Sequence, residues 1–143
     1  GGTSIEYVRQ FMAGKFPGAP KFAVLISDVK DIAKAHVACI GNTKVGGRRL
    51  IVGKEVKKLV ELSQLMAEAM PEYARKLPKK ELPNFMVKLI SYVDSSAKTM
   101  IPDLGIIMQT DPSYAEKLLG FEFKAAKDCI ANNARSVVRL GLV

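Results

Sequence analysis

Tryptophan is absent, histidine occurs once (His36), cysteine occurs twice (Cys39 and Cys129), and aromatic residues make up only 7% of the 143 positions. One histidine and two isolated cysteines cannot furnish the four closely spaced nitrogen and sulfur donors of a structural zinc site, so no metal ligand is assigned. No basic patch followed by an apolar run opens the chain. A secretory leader is therefore not expected, both thiols are read as reduced core residues, and the expected compartment is the cytoplasm. Long apolar runs are missing too. The longest, Phe22–Ile26, stops at Ser27, whereas a bilayer span needs roughly 20 such residues, so no membrane partner is expected. There is no Gly-x-Gly-x-x-Gly, which removes the dinucleotide fingerprint. The stretch Gly41–Arg48 approaches a phosphate loop, but Gly47 stands where the lysine belongs and Arg48 where the hydroxyl belongs. It also leads from a helix to a strand, the wrong context, and reads as a turn. No cofactor-binding residue is assigned to this chain.

What is present is globular. Apolar residues reach 48% and charged residues 25%, enough for one domain with a real core. Lysine and arginine outnumber aspartate and glutamate by 22 to 14, a net +8, with local groups at Lys44, Arg48, Arg49, Lys54, Lys57 and Lys58 and at Arg75, Lys76, Lys79 and Lys80. Such a balance favours anionic partners in general. Without interleaved aromatics or a recognition motif it reads first as a solvated face, and no nucleic-acid partner is expected.

Hydrophobic spacing organises the chain into many helices and about three short strands, an α/β pattern. Thr3 and Glu6 make a capping box before a stripe of Ile5, Val8, Phe11 and Met12. Phe22–Ile26 is a short buried strand. Asp28 and Asp31 start a second helix whose apolar face carries Ile32, Ala33, His36, Val37 and Ile40, closed by Gly41. Residues 48–52 read as a second strand. A helix then carries Val56, Leu59, Val60, Ser63, Met66, Ala67 and Met70 as far as Pro71. Pro83 opens another, with Phe85, Met86, Leu89, Ile90 and Val93 as its stripe, and residues 95–105 hold a short helical piece ending at Gly105. Residues 106–110 are the third strand. Asp111-Pro112 opens a short helix stopped by Gly120, and Ala126, Cys129, Ile130, Asn133, Val137 and Leu140 mark a last, longer one. Three short strands among helices are too few for a self-contained parallel sheet covered on both faces.

No catalytic constellation emerges. His36 lies on an apolar helix face and reads as a core histidine. Asp28 and Asp31 are better placed to cap than to act as an acid–base pair. The residues four positions after Tyr7, Tyr73, Tyr92 and Tyr114 are Phe11, Leu77, Ser96 and Leu118, so no tyrosine is followed by the lysine used in ketone reductases. No catalytic residue is assigned.

The run Ile26-Ser27-Asp28-Val29-Lys30-Asp31-Ile32-Ala33-Lys34-Ala35-His36-Val37 resembles the "VDVRDVAxAHV" segment of extended short-chain dehydrogenases/reductases, most closely the dihydroflavonol 4-reductase and cinnamoyl-CoA reductase group and the related NAD-dependent epimerases and dehydratases. Other pieces follow in that family's order. Thr3-Ser4, Gly14-Lys15 and Pro17-Gly18 are similar to the helix and loop before it, and Gly47–Val52 to its "G-R-[YF]-I" strand. Asp111, Ala115, Leu118, Leu119, Gly120 and Phe121, after Leu104-Gly105, are similar to its "D-x-S-K-A-x-x-L-G-[WF]" segment, and Leu140-Gly141 to the end of its closing helix. Lys30, Ser27 and Tyr114 depart from the usual arginine, aspartate and lysine.

The resemblance implies the C-terminal, substrate-binding part of a Rossmann-type reductase over residues 1–143. An N-terminal dinucleotide-binding domain, with a glycine-rich loop and a Tyr-x-x-x-Lys pair, would lie outside this chain. It also implies NAD or NADP in the intact enzyme, none of it bound by this segment alone, and hydride exchanged with a small carbonyl substrate. The segment alone is expected to be inactive. Met12, Phe16, Ile26 and Ser27 are the expected substrate-lining residues. Orphan strand edges are expected to be exposed, making the chain marginally stable or prone to self-association. Two other readings stay open: an epimerase or dehydratase acting on nucleoside sugars, and a stand-alone basic binding module without catalysis.

Overall fold

The computed structural model describes residues 3–92, 98 and 101–143. Three helices build the main core: α1 (Thr3–Met12), α3 (Leu59–Ala69) and the long C-terminal helix, called α6 below (Ala126–Arg139). Val8, Phe11, Leu62, Met66, Ile130 and Val137 meet there, with Met12 fully enclosed among them. Their recurrence every three or four residues puts them on one face of each helix. The cap expected of Thr3 lies outside the described side chains. The Glu6 carboxylate is taken by Arg9 and Gln10, one turn further on.

Two small ladders complete this layer. Strand β1 (Ala19–Pro20) runs parallel to β4 (Glu81–Leu82), and β2 (Ala23–Ile26) runs antiparallel to β3 (Glu55–Lys58), pairing Ala23 with Lys58 and Ile26 with Glu55. Strand β2 falls inside the expected strand at 22–26. Val56, expected in a helix, belongs to β3. The helix starts only at Leu59 because the Glu61 carboxylate accepts the Lys58 amide at 2.6 Å and caps it there. The other two expected strands are not strands. Residues 48–52 and 106–110 have no neighbouring chain to pair with among the described residues, and a ladder cannot form without one.

A second cluster forms around α2 (Val29–Cys39) and α5 (Ser113–Leu119), with Ala35, Ala115, Leu119 and Phe123 at its centre and Leu50 and Val52 against it. Asp28 caps α2 by accepting the Lys30 amide at 2.8 Å. Asp31, itself buried, accepts the Lys124 amide at 2.7 Å, and the Lys124 ammonium sits 2.7 Å from Asp28. Glu116 accepts both the Lys54 ammonium and the Phe123 amide at 2.8 Å, and the lysine holds this carboxyl below the usual range. Asp111 accepts the Ser113 amide ahead of Pro112, and Gly120, at φ 77°, ends α5 as expected.

Helix α2 reverses the expected face. Ile32, Ala33, His36, Val37 and Ile40 lie on the exposed side, and Asp31 and Ala35 on the buried side. His36 is therefore not a core residue; its Nδ1 lies 2.7 Å from the Ile32 carbonyl in the solvent. The stripe of α4 (Asn84–Ile90) behaves likewise: Phe85 and Leu89 are exposed and Val87 is the residue that buries, while Val93 lies outside the described residues. In the span 95–105 a single 3-10 turn, Ile101–Asp103, precedes Gly105; residues 95–97 and 99–100 lie outside the description. Exposed large apolar side chains stand on the outer faces of α2 and α4, at Ile51, in the loop Ile106–Met108 and at the end of the chain, Leu140, Leu142 and Val143. Among the described residues no helix is long and apolar enough to cross a membrane.

One glycine fixes how closely two segments approach. A Cβ on Gly53 would sit 2.6 Å from Ser27 Oγ, 2.8 Å from Leu25 Cγ and 2.9 Å from the Ile26 carbonyl oxygen. Replacement by alanine must push the end of β2 away from the 50–53 segment. Gly53→Ala is expected to lower unfolding free energy by about 1–3 kcal/mol, the usual cost of overpacking. Urea denaturation checks this, and an unchanged midpoint would show that the contact is loose.

Candidate functional site

Between α1, β2, α3 and α6 the core is not filled. A cavity of about 240 Å³ opens there, walled chiefly by Val8, Phe11, Phe22, Ile26, Leu62 and Ile130. Tyr7, Val8 and Phe11 come from successive turns of α1, and Cys129, Ile130 and Asn133 from adjacent turns of α6. Polar groups are few: Tyr7, Ser27, Cys129 and Asn133. The Ser27 hydroxyl donates to the Val52 carbonyl, so it presents only acceptor capacity. No aspartate, glutamate, lysine, arginine or histidine lines the space. The cavity therefore suits a neutral, largely apolar ligand, because an ion would lose its hydration without gaining a partner. It can bind, orient and exclude water, and it holds no acid–base pair for proton transfer at neutral pH.

Of the four expected substrate-lining residues, Ile26 and Ser27 stand in this wall. Met12 does not, because it turns the other way into the main core, and Phe11 takes its place. Phe16 stacks edge-on against Phe11, centroids 4.8 Å apart, and backs the wall from behind. Tyr7 and Asn133 were not singled out as site residues. The only signal was a polar side chain placed inside an otherwise apolar helical stripe.

Among the described residues no three potential ligands gather around a metal position. Gly14, Gly41, Gly120 and Gly141 take positive φ, and each follows the C-terminal end of a helix. Pyrophosphate is held at the opposite end, where free amides and the positive end of the helix dipole point outward.

Neither a protein-family profile nor a curated protein matches this sequence. Solved structures do match its fold. The protein gox2253 superposes with a TM-score of 0.74 at 17% identity, over 99% of this chain and 45% of its own. Yeast methylglyoxal/isovaleraldehyde reductase Gre2, complexed with NADPH, gives 0.68 at 24% identity over 95% of this chain and 40% of its own. Gre2 from Candida albicans in complex with NADPH gives 0.68 at 20% identity, over 96% and 36%.

The chain has the fold of the C-terminal part of a Rossmann-type reductase. It spans less than half the length of the structures it matches. The part-reductase fold accounts for the mostly helical layer and for the few short strands.

Cys129 offers a direct probe of the cavity. Desolvation, reinforced by the nearby Asp28 carboxylate, pushes its thiol up to about 11 despite the opposing Lys124. The thiolate is the reactive form, so alkylation of Cys129 by iodoacetamide is expected to be slow at pH 8 and to accelerate up to about pH 11. Cys39 is partly exposed and is expected to react first. Mass spectrometry of the alkylated chain reads both sites; Cys129 labelling as fast as Cys39 at pH 8 would contradict the desolvated pocket.

Proposed function

We propose that this chain is the substrate-side part of an NAD(P)-dependent oxidoreductase that moves hydride between nicotinamide and a carbonyl or alcohol carbon. The observation that carries the reading is the fold likeness across nearly the whole chain to reductases, two of them NADPH complexes. The pocket supports it, being sized and lined for a small neutral carbonyl compound. In this reading the nicotinamide dinucleotide, and the tyrosine and lysine that work beside it, belong to a dinucleotide-binding part outside these residues. No step of hydride transfer runs through this chain; its residues enclose the apolar body of the substrate and keep water from it.

The motifs at Ile26–Val37 and Asp111–Phe121 favour a dihydroflavonol 4-reductase-like member over an epimerase or dehydratase of the same superfamily. A purely basic binding module is less well supported. Half of the larger cationic group is engaged internally, Lys54 by Glu116, Lys57 by Glu55 and Lys58 by Glu81.

The test compares the 143-residue chain with the longer protein encoded when the sequence upstream of Gly1 is included. NADPH consumption with a small apolar aldehyde is expected only from the longer protein. Turnover by the 143-residue chain alone, or failure of the longer protein to bind NADPH, would contradict the proposal.

A further inference from the structure

The wall of the cavity changes in chemistry with depth. Phe11, Leu62, Met66 and Ile130 line it and are buried. Tyr7, Ser27 and Asn133 line it too, but they are half-buried and stand where the space meets solvent. Three of the polar lining groups are therefore gathered at the mouth, around an apolar interior. Cys129, further in, turns its thiol to the Lys124 carbonyl 3.7 Å away.

Two of the mouth groups have their hydrogen-bonding capacity in hand. On α1 the side-chain bonds join Glu6 to Arg9 and Gln10, and at the start of α6 they join Glu55 to the Ala126 amide and Cys129 to Lys124. Among the described residues neither the Tyr7 hydroxyl nor the Asn133 carboxamide has a partner. Each of these groups can both donate and accept, and Ser27, whose proton goes to the Val52 carbonyl, can still accept. A phenylalanine and a leucine would continue the apolar stripes of α1 and α6 without a break. A phenol and a carboxamide at those two places can instead hold a neutral oxygen, as donors to a carbonyl or as donor and acceptor to a hydroxyl. No side chain of opposite charge lines the space to replace the hydration of an acid, a phosphate or an amine.

We infer that Tyr7 and Asn133 determine which ligand the cavity takes: they hold a neutral hydroxyl or carbonyl group at the mouth, while an apolar tail lies against Phe11, Leu62, Met66 and Ile130. The volume sets the size of that tail. A dry cavity of about 150 Å³ takes benzene, so about 240 Å³ takes one ring, or a branched chain of like bulk, with about three or four further heavy atoms. The inference rests on the reading under Proposed function in one respect, that this ligand is the substrate. It is then a small alcohol, or the matching aldehyde or ketone, whose polar end stays where a reactant outside the chain can reach it.

NMR titration of the 143-residue chain tests this with three probes: 2-phenylethanol, its hydrocarbon counterpart propylbenzene, and phenylacetate. Each is titrated into the unsubstituted chain, Tyr7→Phe and Asn133→Leu. Both substitutions keep the bulk of the side chain and remove a group without a partner, so the urea midpoint is expected to stay where it is. The Kd of 2-phenylethanol is expected to rise about fivefold in each variant, the worth of one neutral hydrogen bond, with that of propylbenzene unchanged. Phenylacetate is expected not to bind, although the chain carries a net +8. Equal weakening of the alcohol and the hydrocarbon would make the two residues mere wall and overturn the inference. An unchanged Kd for the alcohol in both variants, no binding of either neutral probe, or phenylacetate binding as tightly as the alcohol would overturn it as well. The oxidoreductase reading is tested apart from this by NADPH consumption in the longer protein. Selective loss of the alcohol in a chain whose longer form consumes no NADPH leaves the ligand assignment standing and removes the reading; turnover in the longer form with no selective loss does the reverse.

Discussion

The rotation of α2 about its own axis is set by one buried carboxylate. Asp31 accepts the Lys124 amide at 2.7 Å, and Lys124 reaches back to Asp28 at the helix start. A hydrogen bond to a charged group is worth about 1.5–3 kcal/mol, and leaving Asp31 buried without it would cost more. Turning the helix half-way round to bury Val37 and Ile40 would therefore break its anchor. Ala35, one turn further on, allows α5 to approach closely on the same side. The outward stripe follows from that anchor. The second cluster, the packing of Leu50 and Val52 and the exposure of Ile51 follow in turn.

The pocket depends on a different economy. Strand β2 brings Val24, Leu25 and Ile26 to the pocket wall, and Gly53 lets the next segment lie directly against Ser27. The Ser27 hydroxyl ties to the Val52 carbonyl, so the end of the pocket wall and the segment beside α2 are joined at one point.

Local signals in the sequence were reliable where the physics is local. Asp28, Gly120 and the apolar spacing of α6 each act within one or two turns, and the helices begin and end near where those residues place them. Strands depend on a distant partner. Residues 48–52 read as a strand, yet among the described residues no neighbouring segment pairs with them. Val56 reads as helix by its spacing to Leu59 and Val60, and it lies in β3 because β2 runs alongside. The two-residue ladder of β1 and β4 turns on Gly18, whose Cβ would meet Leu82 at 2.8 Å, a contact invisible to any periodicity. An amphipathic stripe tells which side of α2 is apolar and nothing of what covers it, so the spacing points His36 to a core that lies on the other side of the helix. At the cavity, Ile26 and Ser27 line the wall from the end of β2, and Phe11 rather than its neighbour Met12 lines it from α1, because a helix rotates 100° per step.

The central claim is that the buried Asp31 anchors α2 with its apolar stripe turned outward. Thiol labelling of Val37→Cys in a Cys39→Ser background tests this most directly. The account predicts labelling of Val37→Cys at the rate of a free thiol, and at least tenfold slower labelling of Ala35→Cys in the same background. Equal rates at the two positions would contradict it.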